Sequence, residues 1–244
     1  MLVARDLSRS YRGASRPAVH DVSFSVPPGR TLAVVGESGA GKSTLARIVA
    51  GLEAPDTGSV TLGGAPVRLR PGRVSPVQMV FQNPFDALNP LRSIGASVGE
   101  PLRRLGGAER RSRVADALER VGLDPRRAGQ RPVSFSGGQL QRVVLARALA
   151  ADPAVLLCDE PTSSLDVSVQ AQVVNLLLEL QEARGFACVL VTHDLGVARV
   201  LAHDVLVLRY GEVVEHRPAA ELFAEPAEPY TRELLAAERP APVA

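Results

Sequence analysis

Residues Gly36 to Thr44 read GESGAGKST and fit the spacing G-x-x-x-x-G-K-[ST]. Glycines at this spacing let successive backbone N–H groups wrap an anion, and a helix beginning at the end of the loop adds the positive end of its dipole. Gly36, Glu37, Ser38, Gly39, Ala40, Gly41, Lys42, Ser43 and Thr44 are therefore the candidates for holding phosphates. Lys42 would reach the β- and γ-phosphates of a nucleotide, and the Ser43 hydroxyl can ligate magnesium. Lys42 is also the one lysine among 28 basic side chains, all others being Arg. Arg is a planar fork and Lys a compact charge on a slim stem, so the surviving lysine marks a place where the fork does not fit.

Two acids supply what the loop lacks. Asp159 and Glu160 close the apolar run VLLCDE; Asp159 is placed to hold magnesium through water, and Glu160 to orient and polarise an attacking water. His193 ends the next apolar run, ACVLVTHD, where its side chain could contact a γ-phosphate. His20, His203 and His216 read as caps or surface residues. Up to this point a P-loop ATPase and a small-molecule kinase fit equally.

The stretch FSGGQ, Phe135 to Gln139, separates them. Followed by the helix-periodic LQRVVLARALA, it again sets glycines and a Ser hydroxyl at a helix N-terminus. One nucleotide cannot easily use two such cradles from one chain, because the first already encloses its phosphates. A symmetric pair of subunits, each cradle facing the partner's nucleotide, is the economical arrangement.

The elements around these residues follow from periodicity. TLAVV, Thr31 to Val35, predicts a strand that runs through the glycine loop into the helix KSTLARIVAGL. GSVTLGG predicts a strand closing in a Gly63-Gly64 turn, and PVQMVFQ a strand ending near Phe81. From about Phe85 to Ala150 the apolar residues recur three and four apart, as in RRSRVADALERVGL, which predicts helices. Then come the strand PAVLLCDEP, the helix SVQAQVVNLLLELQEAR, the strand ACVLVTHD, a hairpin in DVLVLRYGEVVEH and a tail with one short helix, YTRELLAAE. The end, ERPAPVA, is expected to fray. Alternating strands and helices predict an α/β fold with a parallel sheet, within one discontinuous domain.

Composition narrows the classes. With 45% apolar and 22% charged residues the chain reads as a soluble globular protein, and a net charge of +2 is too small to imply a nucleic-acid partner. The Arg-rich stretch from Arg103 to Arg131 is interspersed with acids and reads as a solvated helical face. No apolar run reaches the roughly eighteen residues of a membrane span, and the start shows no apolar stretch of signal length, so a cytoplasmic location is expected. Cys158 and Cys188 sit inside apolar strands and read as buried thiols.

The ordered motifs resemble those of the ATP-binding cassette (ABC) ATPases nearly end to end. GESGAGKST matches the family's phosphate loop, Gln82 in VFQNP its glutamine loop, FSGGQ its signature and VLLCDE its magnesium and base strand. SSLD through Asp166 looks like its dimer-contact loop, and His193 its switch histidine. Tyr11 lies where the family places an aromatic that stacks on adenine. The resemblance implies a P-loop NTPase fold with a parallel core sheet, an N-terminal antiparallel β subdomain and a helical insert subdomain. In that reading residues 1–84 and 151–222 form the nucleotide-binding core with the β subdomain, 85–150 the helical subdomain, and 223–244 a tail. It further implies ATP and Mg2+ as ligands, with Ser43, Gln82 and Asp159 around the metal, Glu160, His193 and Gln82 as catalytic residues, and Ser136, Gly137, Gly138 and Gln139 serving an ATP held by a partner domain.

NPFDALNP, LDVSVQAQVVNLL, THDLGVARVLA and EPAEPYTRELL look like the ATPases of oligopeptide, dipeptide and nickel importers. The implied partners are membrane permease subunits, a second ABC ATPase subunit and, indirectly, a solute-binding protein, with the chain on the cytoplasmic face of the membrane. The chain departs from the group's pattern at Phe135, where Leu is usual, and at Glu228, where His is frequent, and it lacks the Cys-rich tail of many members, so no iron–sulfur cluster is expected. An accessory ABC ATPase of a non-transport complex, such as carbon–phosphorus lyase, would share every motif. A DNA-repair ABC protein would need a coiled-coil insertion far longer than RRSRVADALERVGL.

Overall fold

The computed structural model describes residues 1–163 and 165–237. The expected fraying of ERPAPVA and the Ser164 position of the SSLD loop lie outside them. Along the chain run β1 (Leu2–Arg9), β2 (Val19–Val26), β3 (Thr31–Val35), α1 (Lys42–Val49), β4 (Thr57–Leu62) and β5 (Ala65–Pro66). There follow β6 (Val77–Val80), α2 (Pro84–Ala87), α3 (Ile94–Val98), α4 (Gly107–Arg120) and, after two 3-10 turns, α5 (Gly137–Ala150). The chain continues through β7 (Val155–Asp159), α6 (Val167–Arg184), β8 (Ala187–Val191), α7 (Leu195–Leu201), β9 (Asp204–Arg209), β10 (Glu212–Pro218), α8 (Ala219–Ala224) and α9 (Pro229–Ala237).

These elements divide into two compact units, Met1–Leu69 with the chain from Ala187 onward, and Arg70–Phe186. In the first, β1 pairs antiparallel with β2 and β4, and β5 extends β4. The alternation in VSFSV buries Val22, Phe24 and Val26 on one face of β2, and Val19 is buried beyond a register shift in its pairing with β1. A second set of strands is parallel: β3 lies between β8 and β9, with β10 antiparallel on β9. All five residues of β3 and all five of β8 are buried, which explains their continuous apolar runs. Against Ala33, Val35, Val205 and Val207 pack Leu195 and Ala198 of α7, Ala219 and Leu222 of α8, and Tyr230 of α9.

The second unit pairs β6 parallel with β7, Val80 opposite Cys158, and contains helices α2 to α6. Two of its long helices, α5 and α6, start on built caps. Ser136 opens α5 with a capping box, and Asp166 opens α6, which Gly185 ends in a left-handed turn. Helix α4 buries only Val114, Ala117 and Leu118, so its arginines face solvent as the sequence implies. Cys158 and Cys188 are both buried, as expected.

The tail carries two helices where the sequence pattern predicts one. Helix α8 is six residues long, less than two turns, too short for a 3.6-residue period to register.

Candidate functional site

The phosphate loop joins β3 to α1. Gly36 and Gly41 have positive φ angles of 150° and 104°. A Cβ on Gly36 would overlap the Leu208 carbonyl oxygen, and one on Gly41 the Ala18 carbonyl oxygen. Both glycines are therefore needed so that neighbouring backbone can close on the loop from outside. A Cβ added at Gly39, by contrast, would meet nothing within 4 Å. Helix α1 starts at Gly41 with no side-chain cap, unlike α5, α6 and α7, which Ser136, Asp166 and Asp194 cap. An N-terminus without a side-chain cap, behind a glycine loop, suits a phosphate.

Lys42 is 6% exposed, and its ammonium folds back over the loop, donating to Gly36 O and Glu37 O at 2.8 Å each. The two carbonyls converge on one compact donor, where an arginine would present a planar fork. Ser43 is exposed on the first turn of α1. Tyr11 stands beside the same turn: its hydroxyl lies 3.4 Å from Thr44 Oγ1 and donates to Glu53 Oε2 at 2.9 Å. Glu53 also accepts from Arg9 Nε at 2.8 Å, and the Arg9 guanidinium stands 5.4 Å from the centre of the Tyr11 ring. The ring is 40% exposed, so it is positioned by its edge with surface left for stacking. No sequence pattern pointed to Glu53. His193 follows β8 as an exposed residue, with Asp194 beside it capping α7 by accepting from Val197 N at 2.9 Å.

In the second unit, Asp159 ends β7 and Glu160 follows it with φ of 49°. A bulky L-residue in the left-handed region is strained, and such residues concentrate at functional sites. Gln82 follows β6 and donates from Nε2 to Glu160 Oε2 at 2.8 Å, so the structure brings together these two sequence-predicted residues 78 positions apart.

The signature is built as a helix start. Ser136 Oγ accepts from Gln139 N at 3.4 Å, and Gln139 Oε1 accepts from Ser136 N at 3.2 Å. The hydroxyl still carries a proton to donate, so capping leaves it able to meet a phosphate oxygen. A Cβ on Gly138 would overlap Val169 Cγ1 of α6. Gly138 is thus required by packing within the chain, a reason the motif alone did not disclose. Asp166 accepts from Ser168 Oγ at 2.7 Å and Val169 N at 3.0 Å; these bonds, the Ser168 hydroxyl first, hold its carboxyl below the usual range. Phe135, in place of the usual Leu, is buried, and the Arg127 guanidinium stacks 4.0 Å from its ring centre while donating to Ser134 O at 2.9 Å. An aromatic here gives that arginine a face to lie on.

A magnesium ion would require hard oxygen donors, and Ser43, Asp159 and Gln82 supply only these. Among the described residues no group of three or more His, Cys, Asp or Glu side chains could hold a metal by itself, and no helix is long and apolar enough to cross a membrane.

The ABC transporter family model matches residues 19–163. A di/tripeptide transport ATP-binding protein of Pseudomonas aeruginosa is 47% identical over 97% of this chain and 78% of its own length. A probable peptide ABC transporter ATP-binding protein of Sinorhizobium fredii is 45% identical, over 90% of this chain and 65% of its own length. A glutathione import ATP-binding protein of Escherichia coli is also 45% identical, over 90% of this chain; the match spans 37% of that longer protein. Among solved structures, a dimeric ATP-binding cassette in a post-hydrolysis state with ADP and phosphate superposes with a TM-score of 0.78 at 31% identity, covering 90% of this chain and 99% of that one. The cassette of a Clostridium perfringens cbiONQ transporter complex gives 0.81 at 28% identity, covering 92% and 90%. The chain belongs to the ABC transporter family and has the fold of its ATP-binding cassettes.

Proposed function

We propose that this chain is the ATP-hydrolysing subunit of a membrane importer for peptides or a similar small solute. The observation that carries the reading is the start of α1: a helix N-terminus without a side-chain cap, behind an open glycine loop, with the one lysine of the chain held over that loop. The relatives named above are all described by transport or import, which favours this reading over an accessory subunit of a non-transport complex. Relatives named for di/tripeptides, peptides and glutathione support the peptide side of the expected substrate range.

In this reading the loop from Gly36 to Thr44 binds the phosphates through its amides, and Tyr11 stacks on the adenine. Lys42 exchanges the carbonyls of Gly36 and Glu37 for β- and γ-phosphate oxygens, a substitution of one set of oxygen acceptors for another at little cost in desolvation. Glu160 takes the proton of the attacking water, with Gln82 fixing the carboxylate's rotation, and His193 contacts the γ-phosphate. Ser43, Asp159 and Gln82 would hold magnesium, which when bound would neutralise charge developing on the phosphates. Ser136, Gly137, Gly138 and Gln139 serve the ATP of a second cassette, and Asp166 lies in the loop between the two copies. ATP then favours the closed pair and hydrolysis reopens it. With permease chains forming the path, this subunit sits peripherally on the cytoplasmic face of the membrane, and a solute-binding protein delivers cargo to the permease.

Affinity purification of the tagged chain from its native membrane tests this. The expected result is recovery of permease subunits and a second cassette, with ATPase activity that rises when the solute-binding protein is loaded with peptide. A complex with soluble enzymes and no permease would overturn the transport reading.

A further inference from the structure

The tail motif EPAEPYTRELL forms α9 and the turn before it, and nothing in the hydrolytic scheme uses it. Its Tyr230 is 5% exposed, seated against β3 and β9 among Ala33, Val35, Val205 and Val207. The hydroxyl of this buried ring accepts a hydrogen bond from Glu37 N at 3.4 Å. Glu37 is the second residue of the phosphate loop. The carbonyl of the same peptide group, Gly36 O, accepts from Lys42 Nζ at 2.8 Å. One planar peptide therefore joins Tyr230 at its N–H end to Lys42 at its C=O end, and rotation of that plane moves both.

Two further contacts stiffen the arrangement. The Arg209 guanidinium lies 4.3 Å from the Tyr230 ring centre. The hairpin after Arg209 returns to the loop, where Gly211 N donates to Ala40 O at 2.9 Å. Just before Tyr230, the turn that leads into α9 is tied to β10: the buried Glu215 carboxylate accepts from Ala227 N at 2.9 Å and Glu228 N at 3.1 Å. The tail is thus anchored on one side to the sheet and reaches the phosphate loop on the other.

We infer that Tyr230 is a positioning residue for ATP binding: through the Gly36–Glu37 peptide the tail helix sets where the phosphate loop holds Lys42. This rests on the reading of that loop as the ATP phosphate site. The glycines of the loop explain why it needs an external strut. Gly36, Gly39 and Gly41 all adopt positive φ, and a loop this rich in glycine has few side chains of its own to fix its peptide planes, so an outside partner adds to the bonds from Lys42.

The test compares the full wild-type chain with Tyr230→Phe, which keeps the ring and removes the hydroxyl. Hydrogen exchange of the Glu37 amide, resolved by NMR without nucleotide, should quicken about two- to fivefold, and Mg-ATP affinity, measured by calorimetry, should weaken by a similar factor, the size expected for one long neutral hydrogen bond. The melting temperature should stay within about a degree or two, because the packing is kept. Unchanged exchange at Glu37 overturns the strut, and so does a fall in melting temperature with no change at Glu37, which would leave Tyr230 a core residue only. Faster exchange with unaltered ATP affinity overturns the link to nucleotide. If the wild-type chain itself binds no ATP, the phosphate-loop reading fails, while the exchange measurement still judges the strut.

Discussion

Gln82 Nε2 donates to Glu160 Oε2 at 2.8 Å, so the side chain that follows β6 fixes the rotation of the carboxylate that follows β7. Glu160 also carries the strained backbone of the pair, with φ of 49°. Strain at the residue we propose as the proton acceptor indicates that its orientation is held against a local cost. Glu160→Gln keeps the size and a hydrogen-bonding oxygen for Gln82 but removes the basic group. ATP binding should persist while phosphate release slows by about a hundredfold or more, the range for loss of a general base. A phosphate-release assay on the reconstituted complex checks this; wild-type turnover would remove Glu160 as the base.

The Lys42 ammonium is held by two carbonyls at 2.8 Å inside a nearly closed space. Lys42→Arg conserves charge and changes shape, from a point donor to a planar fork. The guanidinium cannot reproduce two bonds from a single nitrogen at the Lys42 Nζ position in the same geometry. We expect Mg-ATP affinity to fall about tenfold or more with the fold intact, read by calorimetry beside circular dichroism. Near-normal affinity would show that charge alone is required there.

Gly138 faces Val169 so closely that a single added carbon collides with it. Gly138→Ala should destabilise the chain by about 1–3 kcal/mol, the usual cost of overpacking, seen as a lower urea midpoint. Pairing it with Val169→Ala should recover most of that loss, because the smaller side chain makes room. If the double variant regains stability yet remains inactive with its partner cassette, Gly138 also meets the nucleotide. Failure of the second substitution to restore stability would dismiss the packing account.

The motifs were legible where spacing along the chain is the geometry. GESGAGKST specifies its own loop, and the S-x-x-Q of Ser136 and Gln139 specifies a helix start. The same local information could not reveal that Gly138 is small on account of Val169, a reason that lies across a tertiary contact. Tyr230 and Glu37 are 193 residues apart, and only the folding of α9 onto the sheet brings them together; the sequence marked the tail as a subfamily trait without a role. Helix α8 escaped notice for a different cause, its shortness. Phe135 is explained by Arg127, eight positions earlier, through a stacking contact that neither residue alone announces.

The anchor of α9 makes the tail sensitive to acid. Burial pushes the Glu215 carboxyl up, but the neighbouring Thr231 hydroxyl, the amides of Ala227 and Glu228 and the Arg217 guanidinium pull it down further, so its pKa is lowered overall. A carboxyl with a depressed folded-state pKa contributes stability that is full above the ordinary glutamate value, about 4.3, and is lost as pH falls through the lower folded value. The wild-type chain should therefore lose an increment of stability as pH drops from about 4.5 downward. Glu215→Gln should be less stable at neutral pH by about 1–3 kcal/mol, the cost of leaving a charge-assisted buried hydrogen bond unmade, and should lose less on acidification. Asp56, Asp124 and Asp166 are also held low, so each curve alone mixes several groups, and the difference between the two isolates Glu215. Thermal unfolding of both proteins between pH 7 and pH 3 gives that difference. It should shrink toward zero at the acid end; a constant gap across the range would mean that Glu215 holds α9 by shape and not by charge.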